Sequence, residues 1–342
     1  MDSSVDIYIG NLQNKPNYPI VNVHHWTDYL ELLCLANIDG ELSKTDYIKR
    51  FAPRESDLRE GDIEDIEAMD ALELEDSSTS TNRSSKADVW GMRLDDWFLL
   101  LEHREKIYGE YYPFKKEGDS LILKDAALSK HQLLYCYLLF CSNLYLFNPT
   151  DRGSLASSFE LLCLEVLRNL LPTNAEVHLF GKNPLNKGQF VGPLWDKIQL
   201  LASKLNEQVN PRLKQYTPAN TGDGGLDVVG WVPSGDTLPS KLIYFGQCTC
   251  NVSDWISKQN DSSFNAWSNK IHFTNFTNNI ILIPFCFREA TGDWAQIGQI
   301  SKSFLVDRRR LLYYLYGDFE TFERLPSYGL FENMVVAKEE VF

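Results

Sequence analysis

The chain has no run of 18 uncharged apolar residues, so no segment is expected to cross a membrane as a helix. It has no glycine-rich loop ending in Lys-Ser or Lys-Thr, which argues against an intrinsic ATPase. Its six histidines fall at no ligand spacing, and the adjacent His24 and His25 point two ways on any regular element. Cysteine is sparse, with seven residues and hence an odd number. Cys248 and Cys250 have no second pair close enough in sequence for a zinc ribbon. The start, Met1-Asp2-Ser3-Ser4, lacks the basic residues and apolar run of an export signal. Reduced thiols in the cytoplasm are therefore expected. Also missing is any excess of positive charge. The net charge is −14, the wrong sign for a surface that binds nucleic acid along its whole length.

What is present fits a folded chain. The 342 residues suffice for two domains with cores, and 44% hydrophobic with 13% aromatic content supplies the material. The negative charge is concentrated. Residues 55–76 hold eleven acids and one base, Arg59, and so carry −10. Residues 151–342 hold 18 Lys and Arg against 20 Asp and Glu, so this part is near neutral and can still present a basic groove. The acidic stretch admits three readings: a solvated spacer, a dock for a basic partner, or a mimic of nucleic acid that occupies a groove. Ile63, Ile66, Met69 and Leu72 recur every three residues within it, as a narrow amphipathic helix would require. Residues 76–85 contain no apolar side chain and are expected to be a loop, so that 55–87 forms one acidic and Ser/Thr-rich connection.

Residues 1–150 read as a mainly helical recognition or interaction domain. Trp26–Leu35 has apolar positions at helical spacing, and Ser43 with Asp46 marks the start of another helix. Leu94–Ile107 and Leu128–Phe147 read as helices, the second buried. Lys116-Glu117-Gly118-Asp119 between two apolar runs reads as a hairpin turn. Helices with one hairpin suit either a winged-helix-like domain or a plain helical one. Residues 151–342 change order: a helix over Ser154–Leu171, a strand over Glu176–Phe180, and an inserted helix over Pro193–Val209. Strands follow over Leu226–Val232 and Lys241–Thr249, then a broken helix over Asp254–Asn269, a core strand over Asn279–Phe287 and a last helix over Asp307–Tyr316. The fold class expected is α/β, with a mixed central sheet flanked by helices.

The densest chemistry lies in Gly222-Asp223-Gly224-Gly225-Leu226-Asp227, followed by Phe245-Gly246-Gln247-Cys248-Thr249. A glycine-rich turn delivers Asp227 onto one strand, and Gln247 and Thr249 share a face of the next. A carboxylate buried there costs several kcal/mol (roughly) unless a partner or a cation compensates it. Asp223 inside the turn suits a backbone-capping role instead. On the preceding helix, Glu160 shares its face with Cys163, Leu164 and Leu167, which places it at a buried flank, whereas Glu165 faces a wetter surface.

This pattern resembles the PD-(D/E)XK nuclease superfamily, in its Mrr-like restriction endonuclease branch, over about residues 154–316. The resemblance rests on Phe159-Glu160, on Gly222–Asp227 and on Gln247. It implies a restriction-endonuclease-like core and hydrolysis of phosphodiester bonds in DNA with Mg²⁺ or Mn²⁺, with Glu160, Asp227 and Gln247 around the metal. Thr249 stands where that family has a lysine, so Lys258 on the next helix is the candidate to supply the charge; otherwise the site is weakened. Arg308, Arg309 and Arg310 follow Asp307, a good N-cap, and sit against the helix dipole. Phosphate contact and salt bridges explain them equally. The resemblance implies an endonuclease in bacterial defence against phage or foreign DNA, a homo-oligomer, with DNA as partner and a further subunit such as a motor ATPase as a possible licence. A nuclease fold serving only for DNA binding or assembly is the alternative.

Overall fold

The computed structural model describes residues 3–16, 22–51, 86–211, 220 and 222–340. The acidic stretch 55–76, its expected helix and the loop 76–85 lie outside the described residues. Lys86 and Ala87 already belong to a helix, so the expected connection ends sooner than residue 87.

Helical periodicity in the first part of the chain becomes α1 (Ser3–Leu12), α2 (Val23–Ala36), α3 (Lys44–Phe51), α4 (Lys86–Tyr108) and α5 (Lys130–Cys141). Ser43 caps α3, its Oγ accepting from Asp46 N at 3.1 Å. Ser129 and Gln132 form a capping box at the start of α5, which stops at Cys141 rather than continuing to Phe147. The expected hairpin is β2 (Phe114–Glu117) and β3 (Ser120–Leu123), turned at Gly118 with φ +57°. A short strand, β1 (Glu41–Ser43), pairs antiparallel with β3 and makes a three-stranded sheet. Three residues carry too little periodicity to be read from sequence.

The second part begins with α6 (Pro149–Leu170), capped by Asn148 and opened by Pro149, where a missing N–H costs nothing. There follow β4 (Glu176–Leu179), α7 (Leu194–Leu205), β5 (Gln208–Val209), β6 (Val228–Val232) and β7 (Leu242–Cys248). Next come α8 (Trp255–Lys258), α9 (Phe264–Ser268), β8 (Ile271–His272), β9 (Thr277–Leu282) and β10 (Phe304–Val306). The chain then enters α10 (Arg308–Tyr314), α11 (Phe319–Glu323) and α12 (Tyr328–Val335). Five strands form one mixed sheet in the order β10-β9-β7-β6-β4. The meander β4–β6–β7 is antiparallel, and β7, β9 and β10 run parallel. The class is α/β, as expected.

The sheet is buried on both faces. Val228 joins a cluster with Leu162, Cys163, Val166 and Leu167 of α6, while Val229 joins Ile198, Leu201 and Leu205 of α7 with Phe245 and Trp267. Several boundaries differ from the sequence reading. The inserted helix ends at Leu205 because Asn206 turns left-handed at φ 60°, and Gln208–Val209 pairs instead with β8. The core strand stops at Leu282. The helix after Asp307 is not the last, since α11 and α12 follow. One cluster of buried side chains runs from Tyr8 to Val335 and draws on both sides of residue 150.

Inside that cluster sits a closed ionic network. Arg308 Nη2 and Nη1 donate to Asp28 Oδ2 and Oδ1 at 2.7 and 3.1 Å, and Arg104 Nη1 donates to Asp28 and Glu31 at 2.7 Å each. Tyr112, Tyr135 and Ser142 hydroxyls complete the carboxylates. Arg308 is fully buried here, so its expected contact with nucleic acid is corrected: its charge serves Asp28 across 280 positions of sequence.

Candidate active site at the β6–β7 end of the sheet

The glycine-rich turn is built for a close approach. Gly224 and Gly225 have φ +65° and +81°, and Gly225 N donates to Asp223 Oδ1 at 2.8 Å. A Cβ on Gly225 would lie 2.6 Å from Asp261 Cβ, so only glycine lets the turn rest on the Asp261 backbone. Asp223 therefore has its expected turn role, and it also faces the cleft.

Asp227 is clamped by main chain on both sides. Its N donates to Gly246 O at 3.0 Å, and its carbonyl accepts from Phe180 N at 2.7 Å and Gly181 N at 3.1 Å. Its Oδ2 accepts from Cys248 N at 2.7 Å. These bonds flank Gln247 and set Asp227 opposite it on the neighbouring strand. Asp227 is 5% exposed. Burial raises its pKa well above the ordinary value, and the negative charges of Glu160 and Asp223 raise it further, against the Cys248 N–H and Lys258.

Glu160 reaches the same place from α6. Its Oε2 accepts from Asn183 Nδ2 at 2.8 Å, and the same amide donates to Ser157 O at 2.9 Å, tying the loop after β4 to the helix. Burial pushes Glu160 up to about 7, with repulsion from Asp223; Asn183 and Lys258 oppose the rise. Gln247 is 6% exposed, and its Oε1 is buried without a hydrogen-bond partner among the described residues. A buried acceptor left unpaired costs roughly 1–3 kcal/mol, and this one is free to accept from a donor or cation in the cleft.

Lys258 closes α8 and is half-buried. Its charge acts on Glu160, Asp227 and Asp261 together. Thr249, where the lysine of the resembling family would stand, is buried, and its Oγ1 accepts from Asn251 N at 3.1 Å. An open cleft of about 530 Å³ is lined by Asp223, Gln247, Lys258, Asn260, Asp261 and Lys270. Asp227 and Glu160 do not line its open part. Their charges are felt by each other and by the cleft residues.

Four residues of this neighbourhood were not singled out from sequence. Asn183 orients Glu160. Asp261 underlies the glycine turn. Lys270, buried with its Nζ over the Trp267 ring at 4.6 Å, donates to Ala266 O at 3.1 Å. Lys197 donates to Phe180 O at 2.9 Å, and its charge is favoured by Asp223 and Asp227 while burial lowers its pKa. None carries a local motif; proximity alone marks them. Among the described residues no three His, Cys, Asp or Glu side chains form a group able to hold a metal ion. The expected donor set has only two such residues, with Gln247 as the third. Two carboxylates raised in pKa beside an orphaned amide oxygen are all-oxygen donors, and they suit Mg²⁺ or Mn²⁺.

The remaining arginines lie elsewhere. Arg310 donates to Leu305 O at 2.6 Å and stacks on Trp294 and Phe304. Arg309 lines a separate cleft with Tyr313 and Tyr316. Neither arginine lines the Asp223–Gln247–Lys258 cleft. Comparison with known proteins returns no significant match to a family model, a curated protein or a solved structure.

Proposed function

We propose that the chain is a metal-dependent endonuclease that hydrolyses phosphodiester bonds in DNA. The observation that carries this reading is the convergence of Glu160, Asp227 and Gln247, from a helix and two adjacent strands, with Lys258 as their counter-charge. The antiparallel meander with a helix before it and a parallel strand after α8 and α9 supports the likeness to the PD-(D/E)XK core. Asp227, Glu160 and the Gln247 Oε1 would hold the Mg²⁺ or Mn²⁺ ion. When bound, that ion polarises the scissile phosphate and lowers the pKa of an attacking water.

The chain's own residues do the rest. The Asp227 clamp fixes one carboxylate against the strand, so little reorganisation is needed when the substrate arrives. Asn183 holds the Glu160 carboxylate toward the sheet. Lys258 places a positive charge at the cleft, where negative charge develops on the phosphate. Lys270, buried in the cleft lining and bonded to Ala266 O, adds a second positive charge behind it.

Purified protein is to be incubated with plasmid in Mg²⁺ or Mn²⁺ beside Asp227→Ala and Lys258→Ala. The expected result is cleavage that falls at least ~10²-fold in each variant, the scale of losing one charge-stabilising group. Undiminished cleavage by Asp227→Ala overturns the reading. DNA that is bound but uncut in either metal favours a nuclease fold used only for binding.

A further inference from the structure

We infer a second nucleic-acid site, for single-stranded DNA or RNA, in the tyrosine-lined cleft between the end of α4 and α10. The cleft holds about 620 Å³. One wall is Lys106 with Tyr111, and the other is Arg309 with Tyr313 and Tyr316. The floor is Asn169 at the end of α6, fixed by donation from its Nδ2 to Tyr314 O at 2.8 Å. Tyr111 is pinned by its hydroxyl on Leu312 O at 3.2 Å, which locks the two walls together.

Two features select the ligand. The first is aromatic. Tyr313 and Tyr316 are 66% and 64% exposed, a large apolar area to leave in water. Tyr313 stands edge-on to Tyr314 at 5.2 Å, and Tyr316 leans on His131 at 5.7 Å, so both rings are held as platforms. The second is charge. Among the described residues the side chains of Lys106 and Arg309 make no hydrogen bond or ion pair, whereas those of Arg308 and Arg310 are engaged. The one acid in the lining, Glu110, lies 3.9 Å from His131 Nε2. Free cations beside exposed rings fit phosphates with bases that stack. The cleft is open rather than enclosing, so it suits a chain passing through more than a free nucleotide, which would be mostly buried in its pocket.

This site is separate from the proposed cleavage site. Asn169 lies nine residues beyond Glu160 on α6, hence roughly 14 Å along the axis and half a turn round it. As a place to hold the substrate it rests on the nuclease reading; as a binding site it is measured alone.

The experiment is fluorescence anisotropy of a labelled single-stranded 20-mer in EDTA, where no cleavage occurs. It compares the full chain with Tyr313→Ala, Tyr316→Ala, Arg309→Gln and Val336→Ala. Each tyrosine variant should weaken binding by roughly 5- to 150-fold, the range for losing one base–ring stack. Arg309→Gln should lower the slope of log K against log salt by about 0.7, one phosphate contact on a single strand. Val336→Ala, at an exposed side chain that lines neither cleft, should bind as the parent does, and because EDTA withholds the metal this comparison stands whether or not the chain cuts DNA. Affinity and salt slope unchanged in the tyrosine and arginine variants would overturn the site, as would tighter binding of a mononucleotide than of the 20-mer.

Discussion

Glu160→Gln tests the electrostatics on which the active-site reading stands. Folding lifts the Glu160 carboxyl from 4.5 to about 7, chiefly by burial. At about 1.4 kcal/mol per pH unit, that rise corresponds to about 3 kcal/mol. The sign follows from proton counts. Between pH 4.5 and 7 the folded protein keeps the proton and the unfolded chain has released it, so stability falls as pH rises through this window. Below pH 4.5 both states are protonated and the group contributes nothing. Above about 7 both are ionised and the full penalty is present. Asp227 is raised in the same direction and steepens the fall. Urea denaturation in EDTA, followed by tryptophan fluorescence at steps from pH 4.5 to 8, reads this directly. The parent should lose about 3 kcal/mol or more over that range. Glu160→Gln should lose markedly less and be the more stable protein at pH 8. Parallel stability curves for the two proteins would refute the claim that Glu160 is held in a strained, cation-seeking cluster. If Glu160 is a ligand as proposed, millimolar Mg²⁺ at pH 8 should raise the parent's stability more than the variant's, because an ion that binds only the folded state stabilises it by mass action.

Other outcomes follow from the same structure. Arg308→Met leaves Asp28 and Glu31 sharing Arg104 alone, and should destabilise by about 3–5 kcal/mol in chemical denaturation. Adding Asp28→Asn should recover part of that loss, and an additive double variant would show that the pair is not coupled. Gly225→Ala should cost about 1–3 kcal/mol, since φ is +81° and the new Cβ meets Asp261. Gly235→Ala, at φ +78° in open space, should cost less in the same assay; equal losses would mean that the Asp261 contact is unimportant.

Much of the local structure is legible from short-range pattern. The Gly118 hairpin, the Ser43 cap, the α6 stripe and the broken helix before β9 each depend on residues within one or two turns of each other. Glu160 could be marked because its helical neighbours Cys163, Leu164 and Leu167 are apolar, and Asp227 because it enters a strand straight from a glycine turn. The limits of the reading are equally physical. β1 and β10 have three residues each and exist only through their partners, β3 and β9. Asn183 and Lys270 look like ordinary polar residues until the fold sets them beside Glu160 and the Asp223 turn.

The three consecutive arginines show the division most plainly. Their order in the chain determines that they follow an N-cap and occupy the first turn of α10, where the helix dipole disfavours them. It cannot determine their environments, because a helix turns about 100° per residue and sends neighbours to different faces. Tertiary packing buries Arg308 against Asp28, stacks Arg310 on Trp294 and leaves Arg309 facing the tyrosine cleft. The elements and their acids are written locally, in residues close along the chain. Which charges meet is decided by contacts between distant segments, and only the folded chain holds those contacts.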